Sequence, residues 1–390
     1  MDPEQFPDLD VTVPAVTAAE LKARLDAGER VTVLDTRRPA DYEAWQLTHP
    51  NARNVNVPFT AFLDEDDAPV DAVPDDVPEG PLVVSCAKGL SSQFVAEFLT
   101  QHGRDVEALV DGMAGWARLY EAHPLAVDGS TTVVQYHRPS SGCLGYLVVS
   151  AGEAAVVDPL RAFASRYADD AAGRGASLRY AVDTHVHADH VSGVRAVATL
   201  TDATPVLPAG AVERGLAFDA ELVEGGDALP VGGTALDAVA LPGHTTEMTG
   251  YRVGGVLMTG DTLFAAGVAR PDLEAGDAGA DGAARRLYDT LQDLAAMPDD
   301  TLVAPGHAGP NETPAADGTY TARLGDLVAR LPVLEQDREA FVEATLADMP
   351  PRPNNFREII ATNLGRETVE DDHEAFELEL GPNNCAASAD

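Results

Sequence analysis

Three histidines and an aspartate fall within six residues in Thr184-His185-Val186-His187-Ala188-Asp189-His190, a density that obliges the chain to fold around a point where nitrogen and oxygen donors meet. Three later segments answer it. Leu241-Pro242-Gly243-His244, Met258-Thr259-Gly260-Asp261 and Ala304-Pro305-Gly306-His307 each place one ligand-type side chain after an apolar run and a tight turn. Imidazole and carboxylate suit zinc or iron, and sites assembled from several strand ends usually keep a coordination position open for chemistry. Five of the ten histidines lie in these motifs, which sets aside a reading as scattered core and surface histidines.

Leu178 to Val182 is an apolar, strand-like run, so His185 and His187 are expected to leave one strand end with the same facing and to reach one ion. Val191, Val194, Val197 and Leu200 recur at helical spacing, and Asp189 and His190 are expected to open that helix, with Asp as a favoured cap. Cys143 precedes another apolar run and is assigned to core packing rather than to catalysis.

At 390 residues the chain exceeds one typical core, and two domains plus an appendage are expected. Its formal net charge of -38 comes from acidic residues spread over the whole length, so it describes the surface and not a tail. Lys22 and Lys88 are the only lysines, and a hydrophobic content of 45% excludes disorder as the cause. Dispersed carboxylates with few lysines are similar to the proteins of salt-accumulating halophiles, whose folded state needs salt to screen self-repulsion. Nucleic acid is excluded as a partner. Cys86, Cys143 and Cys385 are too few for a disulfide framework, and no signal-peptide pattern or membrane-length apolar run is present; a cytoplasmic protein is expected. Cys385 receives no role, and the oligomeric state cannot be read from the sequence.

Short apolar strands at Val31 to Leu34, Leu82 to Ser85 and near Leu109 alternate with a helical stripe at Phe94, Val95, Phe98 and Leu99. That pattern predicts an α/β unit with a parallel sheet. The Asp- and Pro-rich segment 64–79 reads as a surface loop, and Asp128-Gly129-Ser130 reads as the turn before a second unit. Cys86 follows a buried strand and heads the loop Cys86-Ala87-Lys88-Gly89-Leu90-Ser91-Ser92 before a helix. Converging backbone N–H groups, the helix start and Lys88 would all stabilise negative charge on its sulfur. The alternative is a small buried hydrophobe.

Leu34-Asp35-Thr36-Arg37, Asp41-Tyr42-Glu43, Asn54-Val55-Asn56-Val57-Pro58, the Cys86 loop and Leu109-Val110-Asp111-Gly112-Met113-Ala114-Gly115-Trp116 resemble a rhodanese domain in order and spacing. The resemblance implies that Cys86 accepts a sulfane sulfur as a persulfide and passes it on, with Lys88 and Ser91 at the substrate. Ser91 stands where the family commonly has Arg, and Trp45-Gln46-Leu47 where it usually has Gly-His-Ile. Asp158, the cluster from His185 to His190, His244, Asp261 and His307 resemble the metallo-β-lactamase fold. The fold class expected is therefore an α/β rhodanese domain, a parallel sheet flanked by helices, over 12–125. A metallo-β-lactamase αββα sandwich follows over 131–315, with a helical extension over 316–366 and an acidic, mobile tail over 367–390. Within the extension, helices are expected at 320–331 and 338–346, with Phe341, Val342 and Leu346 on one face.

The segments Gly142-Cys143-Leu144-Gly145-Tyr146-Leu147, Ala269-Arg270-Pro271-Asp272-Leu273, Arg352-Pro353-Asn354-Asn355-Phe356-Arg357 and Asn363-Leu364-Gly365 further resemble persulfide dioxygenases. That resemblance implies one Fe(II) per chain on His185, His244 and Asp261, with His187, Asp189, His190 and His307 in a surrounding shell or at a second metal. It also implies a reaction in which a thiol persulfide and O2 give sulfite and the thiol, the sulfite being open to conversion into thiosulfate at Cys86. Arg270 is a candidate contact for anionic substrate, against a structural ion pair with Asp272 or Glu274. The same ligands also resemble glyoxalase II, which implies two zinc ions and thioester hydrolysis. A third reading is a persulfide relay in which Cys86 works and the metal is structural.

Overall fold

A computed structural model describes residues 9–125, 127, 129–309, 312–347, 349–369 and 371–381, with Asp372 described in its backbone alone. Asp128 of the expected turn and Cys385 lie outside the described residues. Two compact units result, 1–120 with 138–141 and 121–137 with 142–390.

In the first unit five strands form a wholly parallel sheet in the order Ala15–Val16, Val106–Leu109, Leu82–Ser85, Val31–Asp35, Ala52–Asn56. Successive side chains of a strand point to opposite faces, and here both faces are buried. Val31, Val33, Val83 and Leu109 pack with Leu21, Leu25 and Trp116 on one side. Leu34, Leu82, Val84 and Ala108 pack with Phe94, Val95, Phe98 and Leu99 of the helix Leu90–Gln101 on the other. The expected helical stripe is thus the cover of that face, and 64–79 lacks helices and extended strands as expected of a loop.

The second unit packs a seven-stranded and a six-stranded sheet face to face. In the first, Ser177–Val182 lies parallel between Glu153–Val157 and Thr204–Pro208, and antiparallel strands Leu144–Ser150, Thr132–His137 and Glu121–Leu125 complete one side. Because Glu121–Leu125 finds its hydrogen-bonding partner in Thr132–His137, the change of unit falls at Tyr120, ahead of the expected turn near 130. Alternate residues such as Leu144, Tyr146 and Val148 meet Leu236, Ala238, Tyr251, Val253, Val256 and Met258 of the second sheet. Each such Val or Leu contributes about 1.5–3 kcal/mol through burial. The helix Gly276–Ala295 covers the outer face of the second sheet with Ala280, Ala284, Leu287, Leu291 and Leu294 at helical spacing, and Ala164–Gly173 and Val194–Leu200 pack on the first.

Three expectations change. The helix predicted over 320–331 is Leu324–Arg330, because Ala322–Arg323 instead extends the second sheet beside Leu302–Pro305. The helix predicted from Asp189 begins only at Val194, since the carboxylate of Asp189 is bonded to side chains and leaves the backbone uncapped. Beyond 367 the chain forms a further helix, Asp372–Leu378, capped by Asp371 and anchored by buried Ala375 and Phe376. The helix Arg338–Ala347 buries Phe341 and Val342, with Leu346 half-buried against the same cluster. No helix among the described residues is long and apolar enough to cross a membrane.

Candidate metal centre

The ligand-bearing segments meet because strand ends of both sheets converge. Ser177–Val182 runs into the His185–His190 loop, and Val256–Gly260 pairs in parallel with Leu302–Pro305, which sets Asp261 beside His307. Close approach at this edge requires glycine: a Cβ on Gly306 would stand 2.5 Å from Asp261 Oδ1.

Three donor atoms converge from His185, His244 and Asp261, all buried. Asp261 Oδ2 lies 3.9 Å from His185 Nε2 and 3.8 Å from His244 Nε2. Their hydrogen bonds set the tautomers. Thr184 Oγ1 donates to Asp158 Oδ2 at 3.0 Å, so toward His185 Nδ1, also 3.0 Å away, it acts as an acceptor. His244 Nδ1 donates to the carbonyl of Arg270 at 2.8 Å. In both rings the proton is thereby held on Nδ1 and the Nε2 lone pair is left for a metal, as second-shell acceptors do in metal sites. Burial, with His187 and His244 nearby, holds His185 well below the usual imidazole value, and burial also lowers His244. His185 Nε2 and Asp261 Oδ2 are buried without a hydrogen-bond partner, so the donor set fits an ion.

The remaining ligand-type residues form two further groups. Cys143, Asp189, His190 and His307 are one, and Asp158, Asp183 and His187 the other. His307 joins the first centre to its neighbour, with Nδ1 2.6 Å from Asp261 Oδ1 and Nε2 3.0 Å from Asp189 Oδ2. Burial opposes a charged His307, yet Asp261 and Asp189 carry it well above the usual imidazole value. Burial likewise pushes the Asp261 carboxyl up, and His307 brings it below its ordinary value. His190 bonds Asp189 at 3.2 Å, and buried Cys143 donates from Sγ to the same oxygen at 3.3 Å. Cys143 is therefore buried as expected but sits in a polar cluster, a contact its apolar sequence neighbours do not signal. His187 has its ring centroid 4.1 Å from that of His185, and its Nε2 donates to Asp158 Oδ1 at 3.1 Å, which leaves Nδ1 buried without a hydrogen-bond partner. The two histidines of the strand end thus belong to different groups.

Sequence reasoning missed how the loop is held, although it singled out the segment that contains Asn363. Asn363, the last residue of the helix Phe356–Asn363, accepts from Ser192 N–H at 2.8 Å and donates to the carbonyls of His187 and His190 at 3.0 and 2.9 Å. Glu379 accepts from Val191 N–H at 2.8 Å, and Glu247 from Val186 N–H at 3.0 Å. Arg270, a candidate substrate contact, is buried with its guanidinium on both oxygens of Asp272 at 2.7 and 3.1 Å and on the carbonyl of Pro351.

In the first unit Cys86 is buried at the end of Leu82–Ser85, and the N–H of Gly89 donates to its sulfur at 3.1 Å. The Asp111-Gly112-Met113-Ala114 segment pins the loop through Met113 N–H to the Cys86 carbonyl and Ala114 N–H to that of Ala87. Gly112 has φ +53, and a Cβ there would lie 2.2 Å from the Cys86 carbonyl oxygen, which explains the glycine. Ser91 Oγ lies 3.4 Å from Thr36 Oγ1, and Lys88 is exposed. The buried Asp35–Arg37 ion pair accounts for the Asp-Thr-Arg segment, and Arg37 also stands over the Trp45 ring.

The model of the Metallo-beta-lactamase superfamily matches residues 140–307, and that of the Rhodanese-like domain matches residues 17–119. The chain is similar to the hydroxyacylglutathione hydrolase of Methylobacillus flagellatus, 32% identical over 220 residues that cover 56% of this chain and 80% of that protein. A second relative, the hydroxyacylglutathione hydrolase of Rhodobacter capsulatus, is 35% identical over 48% of this chain and 67% of its own length. Among solved structures, ETHE1 from Myxococcus xanthus aligns with a TM-score of 0.52 and 28% identity, covering 60% of this chain and 98% of that one. A metallo-beta-lactamase from Staphylococcus aureus subsp. aureus COL shares the fold, with a TM-score of 0.54, 24% identity, and coverage of 62% and 75%.

Proposed function

Because the chain belongs to the metallo-beta-lactamase superfamily and carries a rhodanese-like domain ahead of that fold, we propose that it is an iron(II)-dependent persulfide dioxygenase with sulfurtransferase chemistry at Cys86. The carrying observation is the convergence of one donor atom each from His185, His244 and Asp261. Two histidines and one carboxylate on one face, with positions left over, is the donor set of oxygen-using non-haem iron. Iron bound there would supply the redox chemistry. The chain's own residues hold the donors: Thr184 and the Arg270 carbonyl fix the two imidazoles, and His307 orients the carboxylate of Asp261. The reaction balances as persulfide, O2 and water giving thiol, sulfite and a proton. At Cys86 a sulfane sulfur would be taken up as a persulfide and delivered to sulfite to form thiosulfate, regenerating the thiol. The likeness to ETHE1 of Myxococcus xanthus and the flanking segments that resemble persulfide dioxygenases support this reading.

A second reading, a dinuclear zinc thioester hydrolase, is favoured by the hydroxyacylglutathione hydrolase relatives. It also has structural support, since His190 Nε2 and His187 Nδ1 are buried without hydrogen-bond partners.

Elemental analysis of anaerobically purified protein, coupled to oxygen consumption with a low-molecular-weight persulfide, separates the two. About one iron per chain with persulfide-dependent oxygen uptake and sulfite release is expected. Two zinc ions, no oxygen uptake and thioester cleavage would sink the proposal.

A further inference from the structure

Gln135 stands inside the strand Thr132–His137, an amide among Val133, Val134 and Tyr136, and is fully buried. Tyr146 lies opposite it on the strand Leu144–Ser150 and is buried as well. A buried amide costs stability unless its donors and acceptor are met, and here they are. Gln135 Oε1 accepts from Tyr320 N–H at 2.7 Å, while Nε2 donates to the Tyr320 carbonyl at 3.2 Å and to Tyr146 Oη at 3.0 Å. Tyr146 Oη in turn donates to the Pro305 carbonyl at 2.6 Å. The direction is forced: a carbonyl only accepts, so the phenol proton points to Pro305 and a phenol lone pair to Gln135. Burial pushes the Tyr146 hydroxyl up, so it keeps that proton.

This line of bonds ends where two ligand-bearing strands finish. The Pro305 carbonyl and the Gly306 N–H belong to one planar peptide unit. Tyr146 holds its carbonyl, and the Gly260 carbonyl holds its N–H at 2.8 Å. Gly260 precedes Asp261 and Gly306 precedes His307, so this peptide joins the two residues whose side chains meet at 2.6 Å, His307 Nδ1 and Asp261 Oδ1. Glycine has the least backbone preference of any residue, so hydrogen bonds set the plane here. Neither glycine can be stiffened by a side chain: a Cβ on Gly306 would strike Asp261, and one on Gly260 would lie 2.2 Å from Met248 Cε.

We infer that Tyr146, itself aligned by Gln135, is a positioning residue of the metal centre: its hydroxyl fixes the peptide between Pro305 and Gly306 and so the approach of His307 to the Asp261 carboxylate. The inference rests on the reading that His185, His244 and Asp261 hold a metal, whichever reaction follows. Tyr146 acts through the backbone, where His307 acts through its side chain. Phenylalanine in its place keeps the ring in the core between the sheets and removes only the proton donor, which leaves the buried Pro305 carbonyl without it. The peptide plane is then free to tilt, and with it the carboxylate that carries one of the three donors.

The test is the visible d–d absorption of the full chain loaded with cobalt(II), whose bands report ligand geometry whatever the native ion. Tyr146→Phe is expected to shift the bands and to lower cobalt affinity about tenfold, the low end for losing a group that orients a ligand. Gln135→Leu takes away the donor that aligns the phenol; a smaller shift in the same direction is expected, and this variant stands in if Tyr146→Phe does not fold. Val148→Ala, a cavity on the same strand and in the same core, gives the baseline for mere destabilisation, a lower thermal midpoint with unchanged bands. Unchanged bands in Tyr146→Phe, or in Gln135→Leu where it stands in, or a shift that Val148→Ala reproduces, overturn the inference. A wild type that takes up no cobalt overturns it together with the metal reading beneath it. A shifted spectrum in a protein whose iron form consumes no oxygen with persulfide keeps the inference and refutes the dioxygenase alone.

Discussion

At the scale of single residues, the centre depends on side chains that never touch the metal. Thr184 is the clearest, because its hydroxyl can accept from His185 only while it donates to Asp158. Thr184→Val keeps the shape and removes that acceptor, and metal affinity measured by chelator competition is expected to fall about 10–100-fold, the usual cost of losing an outer-shell partner. Gly306→Ala drives a methyl against the Asp261 carboxylate, and substoichiometric metal after purification is the expected result by elemental analysis. Asp272 gives the pH dependence. Burial raises its carboxyl, but Arg270 and Arg352 bring it below the ordinary value. A depressed folded value means that its stabilisation is present above the unfolded value of about 3.9 and is lost as pH falls through the folded one. Urea unfolding of wild type and Asp272→Asn should therefore differ at pH 7, with the difference shrinking only as pH falls below about 4 and through the lowered folded value. The role of Thr184 was illegible in the sequence, since it looks like any polar residue beside a motif, whereas the ion pair of Asp272 with Arg270 was one of the readings the sequence offered.

At the scale of elements, the His185–His190 loop is tied by chain that comes almost two hundred residues later. Asn363 satisfies three buried backbone groups of the loop and Glu379 one more. Asn363→Ala leaves those groups unpaired, at about 1–3 kcal/mol each. Weaker metal retention and a lower thermal midpoint are expected together, while Asn363→Asp, which keeps the acceptor for Ser192 alone, should fall between. An Asn363→Ala protein that holds metal like the wild type would remove the bracing role. Helical periodicity at 338–346 and in the stripe of Phe94, Val95, Phe98 and Leu99 was readable because each keeps one apolar face, the first against the helix Gly276–Ala295 and the second against the parallel sheet. The helix Asp372–Leu378 was not, because its acidic, small-residue sequence lacks a long apolar stripe and its place is secured by the tertiary contacts of Ala375 and Phe376.

At the scale of the whole molecule, the charge of -38 is a property of the surface around two apolar cores. Self-repulsion is screened within about 8 Å at physiological ionic strength and within about 3 Å at 1 M. The thermal midpoint, followed by circular dichroism, is accordingly expected to rise as potassium chloride is taken from 0.1 to 2 M; a midpoint independent of salt would contradict that account. By itself the sequence determined the strand and helix periods, the two units, the loop cysteine and all seven ligand-type residues, because periodicity and turn chemistry are local. Only the tertiary structure decided how those seven divide. His187 lies two residues from His185 yet turns to Asp158, and His307 clasps Asp261 and Asp189, because long-range strand pairing and buried hydrogen bonds choose which nitrogen faces which oxygen. The same holds for Arg214, which is remote in sequence from Arg352, Arg357 and Arg366 and lines one cavity with them only once the sandwich and its C-terminal helices have packed.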